Sequence, residues 1–195
     1  PVWSAYIKQN LSILRGWAWW HFLQYMQRCN PNVPAISSKL FAPPERLPLQ
    51  MQTRFWSAVL AAGEFRCIYS GGIIGPSDFA LDHFVPWSFV AHNQLWNLIP
   101  TSTAVNSKKS NHLPSFNYLD AFIRAQHAAL LESKTLFKQK VWEDYTACFI
   151  ADLGVSDYEA LLDAEQLSRA YQSGMRPLLQ LAELNGFPPS WTYAS

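Results

Sequence analysis

Paired cysteines are missing from this chain. Cys29, Cys67 and Cys148 are odd in number, lie far apart and form no Cys-x-x-Cys pair. That argues against a disulfide scaffold and against a structural zinc, and predicts free thiols in a reducing, cytoplasmic setting. Long apolar runs are missing too. No segment has the unbroken length of about 20 apolar residues that a membrane span needs, and no secretory leader is visible, so no membrane partner is expected. An initiator Met is absent as well: the sequence opens on Pro1, which reads as an excised or processed piece of a longer polypeptide. Strong net charge is the last absence. Fifteen Lys and Arg oppose 14 Asp and Glu, for a formal charge of +1 over 195 residues. No basic run is dense enough to name a nucleic-acid partner unaided. The charge is uneven, however: residues 1–62 carry six basic residues against one acid, and residues 116–195 carry six against ten.

Large apolar side chains are plentiful. Hydrophobic residues make up 49% of the chain and aromatics 15%, with nine Trp, enough to fill a sizeable core. Residues 2–28 read as a helix, with Trp3, Tyr6, Ile7, Ile13, Leu14, Trp17, His21 and Tyr25 at roughly helical spacing. Trp17, Trp19 and Trp20 go almost round it, which predicts packing on more than one side. Asn30-Pro31 ends it, and residues 30–48 read as loop. A second helix is expected from about Gln50 to Ala62, stopping at Gly63.

Residues 64–115 change character. Gly and Pro punctuate short β-type runs, Arg66–Tyr69, Phe79–Val85 and Leu95–Ile99, followed by a polar helix from about Thr101 to Lys109. Helices return over 116–185. Phe137, Val141, Tyr145, Cys148 and Phe149 form a stripe, Gly154 ends that helix, and Ser156 with Glu159 reads as a capping box opening the next. Pro177 should kink or restart the last helix. There are no repeats and no low-complexity tract.

The chemistry is concentrated in Asp82-His83-Phe84-Val85-Pro86-Trp87-Ser88-Phe89, then Trp96-Asn97-Leu98-Ile99, then Asn106-Ser107-Lys108-Lys109-Ser110-Asn111-His112 with Pro114-Ser115. Asp82 and His83 are adjacent on an expected strand, so they face opposite ways unless the site wraps the strand end. Asp82 offers a hard cation a carboxylate, and Asn106 a carbonyl oxygen. The unperturbed pKa of histidine lies near working pH, so a neutral His83 near a phosphodiester could accept a proton from water.

In type, order and spacing these segments resemble the HNH endonuclease family, whose core is the ββα-metal motif. They are especially similar to the HNH domain of RNA-guided CRISPR effector nucleases. The resemblance covers residues 79–115. It implies that Asp82 is a metal ligand, that His83 is the general base, and that Asn97 bonds to backbone and aims His83. It implies that Asn106 is the second ligand, where many members carry His, and that Lys109 lies near the scissile strand. Lys108 and His112 are further candidates for contact with substrate, and His92, like His112, reads as structural or as a phosphate contact rather than a ligand. Many members carry two Cys-x-x-Cys pairs around this core. Here only Cys67 remains, and Ser70 stands where a second cysteine would be. Asn at 106 favours Mg²⁺ or Mn²⁺ over zinc.

The resulting expectation is an α+β, mostly helical chain. It has an N-terminal helical segment (1–62), an HNH ββα-metal core with a short β-hairpin (63–115) and a C-terminal helical segment (116–195), joined as one compact unit within a longer protein. The function implied is metal-dependent hydrolysis of DNA phosphodiesters to 5′-phosphate and 3′-hydroxyl ends. A fused or associated targeting domain would choose the target. Defence against foreign DNA is the role suggested by analogy. The alternatives are a non-catalytic nucleic-acid-binding module with the same fold, and a ribonuclease acting on RNA.

Overall fold

The structure, a computed structural model, describes residues 2–30, 36, 40 and 47–194. It divides into two compact units, residues 1–44 and 45–195. The helix at 50–62, grouped by sequence with the N-terminal segment, falls in the second unit. Among the described residues no helix is long and apolar enough to cross a membrane.

In the first unit, helix α1 (Val2–Gln9) and helix α2 (Leu11–Cys29) meet at Asn10. Helical bonding continues through the junction: Asn10 N–H donates to Tyr6 O at 3.0 Å and Leu14 N–H to Asn10 O at 3.0 Å. The helix ends where Asn30 Nδ2 donates to Met26 O at 2.9 Å. The expected burial on several sides is not found, because no residue of α2 is buried and Trp17 and Trp20 are 65% and 59% exposed. A stripe of aromatics specifies an apolar surface but not what covers it. The loop expected over 30–48 lies mostly outside the described residues.

The second unit is mostly helical, with two small antiparallel sheets. Helix α3 (Gln50–Ala62) buries Phe55, Trp56, Val59 and Leu60 on one face and stops at the extended residue Gly63. Strands β1 (Phe65–Arg66) and β2 (Ile73–Ile74) form a hairpin. The expected strand over 66–69 is instead largely its turn: Cys67 N–H donates to Gly72 O, and Gly71 closes the bend with φ +72°. Only glycine adopts that backbone readily.

Strand β3 (Ala80–His83) pairs with β4 (Leu98–Thr101), placing Asp82 opposite Ile99 and His83 opposite Leu98. Between them lie a short helix α4 (Trp87–Val90) and a 3₁₀ turn at Leu95–Asn97, where a continuous strand had been expected. Helix α5 (Thr103–Lys109) follows β4, completing a ββα unit. Ser102 caps it, accepting from Val105 N–H at 3.3 Å.

Helices α6 (Leu119–Leu136), α7 (Gln139–Leu153) and α8 (Ala164–Leu184) form the support. Gly154 ends α7 in the left-handed region, as expected. The expected capping box at Ser156 is not formed. Asp157 takes Ala160 N–H instead, starting a 3₁₀ turn, and α8 is opened by Asp163, which accepts from Glu165 and Gln166 N–H. Neither does Pro177 break α8. It lies on the exposed face, where water can satisfy the carbonyl that loses its partner, while Leu167, Tyr171, Met175 and Leu179 stay buried opposite.

Several contacts fasten the helices to the ββα unit. The Phe122 ring of α6 lies 4.2 Å from Phe84, the residue after His83. Gln126 Nε2 donates to Leu98 O at 2.7 Å, and Tyr171 Oη to Trp96 O at 2.8 Å. Phe122 is fully buried between Phe84 and Tyr171. We expect Phe122→Ala to cost about 3–5 kcal/mol, the usual effect of emptying an aromatic core position. The denaturation midpoint measures it; a loss under about 1 kcal/mol would mean the two layers are held by other contacts.

Candidate active site

Asn97 sets the shape of the loop that carries His83. Its side chain is fully buried and makes both bonds an amide can make to one backbone residue. Oδ1 accepts from Val85 N–H at 2.9 Å and Nδ2 donates to Val85 O at 2.9 Å. Its own carbonyl accepts from Phe84 N–H at 2.8 Å. Three bonds thus tie the 3₁₀ turn to the end of β3, where the chain must leave the sheet at Pro86.

Asp82 points into the protein, 2% exposed. Both of its carboxylate oxygens are engaged: Tyr69 Oη donates to Oδ2 at 2.7 Å, and Lys109 Nζ donates to Oδ1 at 3.0 Å. Lys109 is itself fully buried and also donates to His83 O at 2.7 Å. Burial pushes the Asp82 carboxyl above its ordinary value, and the Lys109 charge and the Tyr69 and Lys109 hydrogen bonds offset this only in part. Burial, then the Asp82 charge, raises Tyr69 well above the usual phenol value, so it remains a hydrogen-bond donor.

His83 closes β3 and is half-buried, with Nε2 3.0 Å from Asn93 Oδ1. Although adjacent strand residues face opposite ways, Asp82 and His83 both border one cavity of about 430 Å³, which wraps the strand end. Asn106, Ser110 and Asn111 of the helical arm close the cavity, and Leu49 flanks it.

The sequence candidates therefore divide. Asp82, His83 and Asn106 share the cavity, with Asn97 and Lys109 directly behind them. Lys108 is exposed and turned to the chain's end, 3.4 Å from Ala194 O and 4.9 Å from the Tyr193 ring. His112 Nδ1 lies 2.9 Å from Lys109 O and does not line the cavity. His92 lies against Trp96, its pKa lowered by burial against the opposing charge of Asp152. The Cys67 thiol is buried, 3.1 Å from Thr101 Oγ1.

Sequence reasoning missed Tyr69 and Asn93. Tyr69 was read as part of a strand and is in fact in the hairpin turn. Asn93 sits in a polar loop, His92-Asn93-Gln94, with no spacing to distinguish it. Only the folded chain shows what either one touches.

One comparison bears on this geometry. Residues 67–115 match the HNH endonuclease family. The match spans the β1–β2 turn, both long strands and α5, so it takes in Tyr69, Asp82, His83, Asn93, Asn97, Asn106 and Lys109 and leaves out the helices on either side. No curated protein and no solved structure matches the chain.

The segment that matches the HNH family contains a buried ion pair whose loss can be followed. Lys109→Met would strand the Asp82 carboxylate, at an expected cost of about 3–5 kcal/mol at neutral pH. Without its cation the Asp82 pKa rises further. An acid whose folded pKa exceeds its unfolded value stabilises the fold fully below the unfolded value and loses that contribution as pH rises through the folded one. The deficit should therefore shrink on acidification, and Lys109→Met/Asp82→Asn should be more stable than Lys109→Met alone. Urea denaturation at neutral and mildly acidic pH checks this; a deficit independent of pH would show that the ion pair is not its source.

Proposed function

We propose that this chain is a metal-dependent nuclease that hydrolyses DNA phosphodiester bonds at the cavity bordered by Asp82, His83 and Asn106. The supporting observation is the convergence of a carboxylate, an imidazole and an amide on one 430 Å³ cavity, within a segment that matches the HNH endonuclease family.

The donors fit a hard divalent ion. Asp82 and Asn106 offer oxygens to the same cavity, and Asp82 supplies the one carboxylate among its lining residues. Among the described residues no three of His, Cys, Asp and Glu gather as a metal-binding group. A donor set of carboxylate and amide oxygens suits Mg²⁺ or Mn²⁺, which complete their shells with water and substrate phosphate, better than zinc held by protein ligands alone. When bound, such an ion supplies stabilisation of charge on the phosphate and the leaving oxygen.

The chain's own residues do the rest. His83 takes the proton from the attacking water. Asn97, through Val85, holds the strand end so that the imidazole stays aimed at the cavity. Lys109 fixes the Asp82 carboxylate and the His83 backbone together through one ammonium. Contacts of this kind address the phosphate rather than the bases, so target choice falls to other surfaces.

Nicking of supercoiled plasmid in Mg²⁺ tests the reading. Cleavage should stop with excess chelator and return with added metal. His83→Ala should slow it by about 10²–10⁴-fold, the usual value of a general base. Asp82→Ala should weaken metal dependence and rate together. Binding of DNA without cleavage would favour a non-catalytic module; cleavage of RNA alone would make the chain a ribonuclease. Wild-type rates in His83→Ala would remove His83 as the base.

A further inference from the structure

Asn93 is not among the residues lining the cavity, but it makes three hydrogen bonds that bear on His83, which is. Its Nδ2 donates to the Leu47 carbonyl at 2.8 Å. Its own carbonyl accepts from Gln52 Nε2, on α3, at 2.8 Å. Its Oδ1 lies 3.0 Å from His83 Nε2.

These contacts decide a proton position. A backbone carbonyl can only accept, so the amide atom facing Leu47 must be the NH₂. The atom left facing the imidazole is then the amide oxygen, which also only accepts. Nε2 must be the donor. In a neutral imidazole with Nε2 protonated, Nδ1 carries the lone pair.

We propose that Asn93 is a positioning residue that holds His83 in the Nε2–H tautomer, making Nδ1 the proton-accepting nitrogen. Asn93 is itself oriented by Leu47 and Gln52, which lie outside the segment matching the HNH family. The part of this that concerns catalysis rests on the reading of His83 as general base; the tautomer does not. A wrong tautomer would place an N–H where the base must accept, so a ring free to exchange tautomers is a poorer base even when correctly placed. The flanking helix α3 therefore reaches the site through one amide: Gln52 to Asn93 to His83.

The test is long-range ¹H–¹⁵N spectroscopy of the labelled 195-residue chain, recorded well above the ordinary histidine pKa of about 6.5 so that the rings are neutral. His83→Gln identifies the His83 signals by their loss. The wild type should show a pyrrole-type Nε2 and a pyridine-type Nδ1. Asn93→Leu should shift both toward the averaged pattern of mixed tautomers. Asn93→Asp keeps an acceptor for Nε2 but loses the donor to Leu47, and should retain the wild-type pattern. In nicking assays Asn93→Leu should lower kcat by about 10–10²-fold with KM little changed, and Asn93→Asp should recover most of it. An Nδ1–H or mixed tautomer in the wild type would overturn the proposal without recourse to any variant, as would an unchanged His83 pattern in Asn93→Leu. A wild type with the expected tautomer but no cleavage would support the hold of Asn93 on the ring and contradict the nuclease reading separately.

Discussion

The ammonium of Lys109 is the contact around which the site is assembled. It is fully buried and bonds at once to the Asp82 carboxylate and the His83 carbonyl, so the last turn of α5 is fastened to the last two residues of β3. A buried cation left without partners costs far more than an exposed one, which makes this fastening stringent: α5 cannot shift along the sheet without stranding a charge. Tyr69 supplies the second half of the support for Asp82. Trp191 packs edge-on against Tyr69 at 5.3 Å, and the terminal segment is bonded in place, Leu113 N–H to Pro188 O and Trp191 N–H to Leu113 O. The end of the second unit thus stands behind the carboxylate, although it lies far from Asp82 in sequence.

A core of this size, with two pairs of short strands, has little sheet of its own to stabilise it. In this chain the thiol of Cys67 is buried against Thr101, and packing does the stapling. The Phe84–Phe122 contact, the Gln126 bond to Leu98 and the Tyr171 bond to Trp96 fix the two strands from beneath, while Asn97 fixes the loop from within. Function and stability are therefore coupled. The residues beside His83 are core residues, and substitutions beneath the site should be felt in it.

Much of this was legible in the sequence, for identifiable reasons. Helix 50–62 was bounded correctly because an apolar face and Gly63 agree. The ββα order could be read because Asp82-His83, Asn97 and Asn106 carry a pattern of types and spacings. What could not be read depends on tertiary contact. The family resemblance put Lys109 near the scissile strand; its burial follows from Asp82 and His83 O lying across from it. Asn93, Tyr69 and Gln52 have no periodicity, and their roles come from partners 10 to 46 residues away. Pro177 does not restart α8, which runs on from Ala164 to Leu184 with the proline on its exposed face. The aromatic stripe of α2 predicted burial because a pattern of side chains says nothing of whether a partner is at hand.

At the proposed ion site Asp82 already has a cation beside it, so a metal there must share the carboxylate with Lys109. Anomalous diffraction from crystals of the chain soaked in Mn²⁺ examines it directly. The account predicts one peak in the cavity, within ligand distance of an Asp82 carboxylate oxygen and the Asn106 side-chain oxygen, and its loss in Asp82→Asn crystals. Absence of a peak there at saturating Mn²⁺, or a peak that persists in Asp82→Asn, would contradict it.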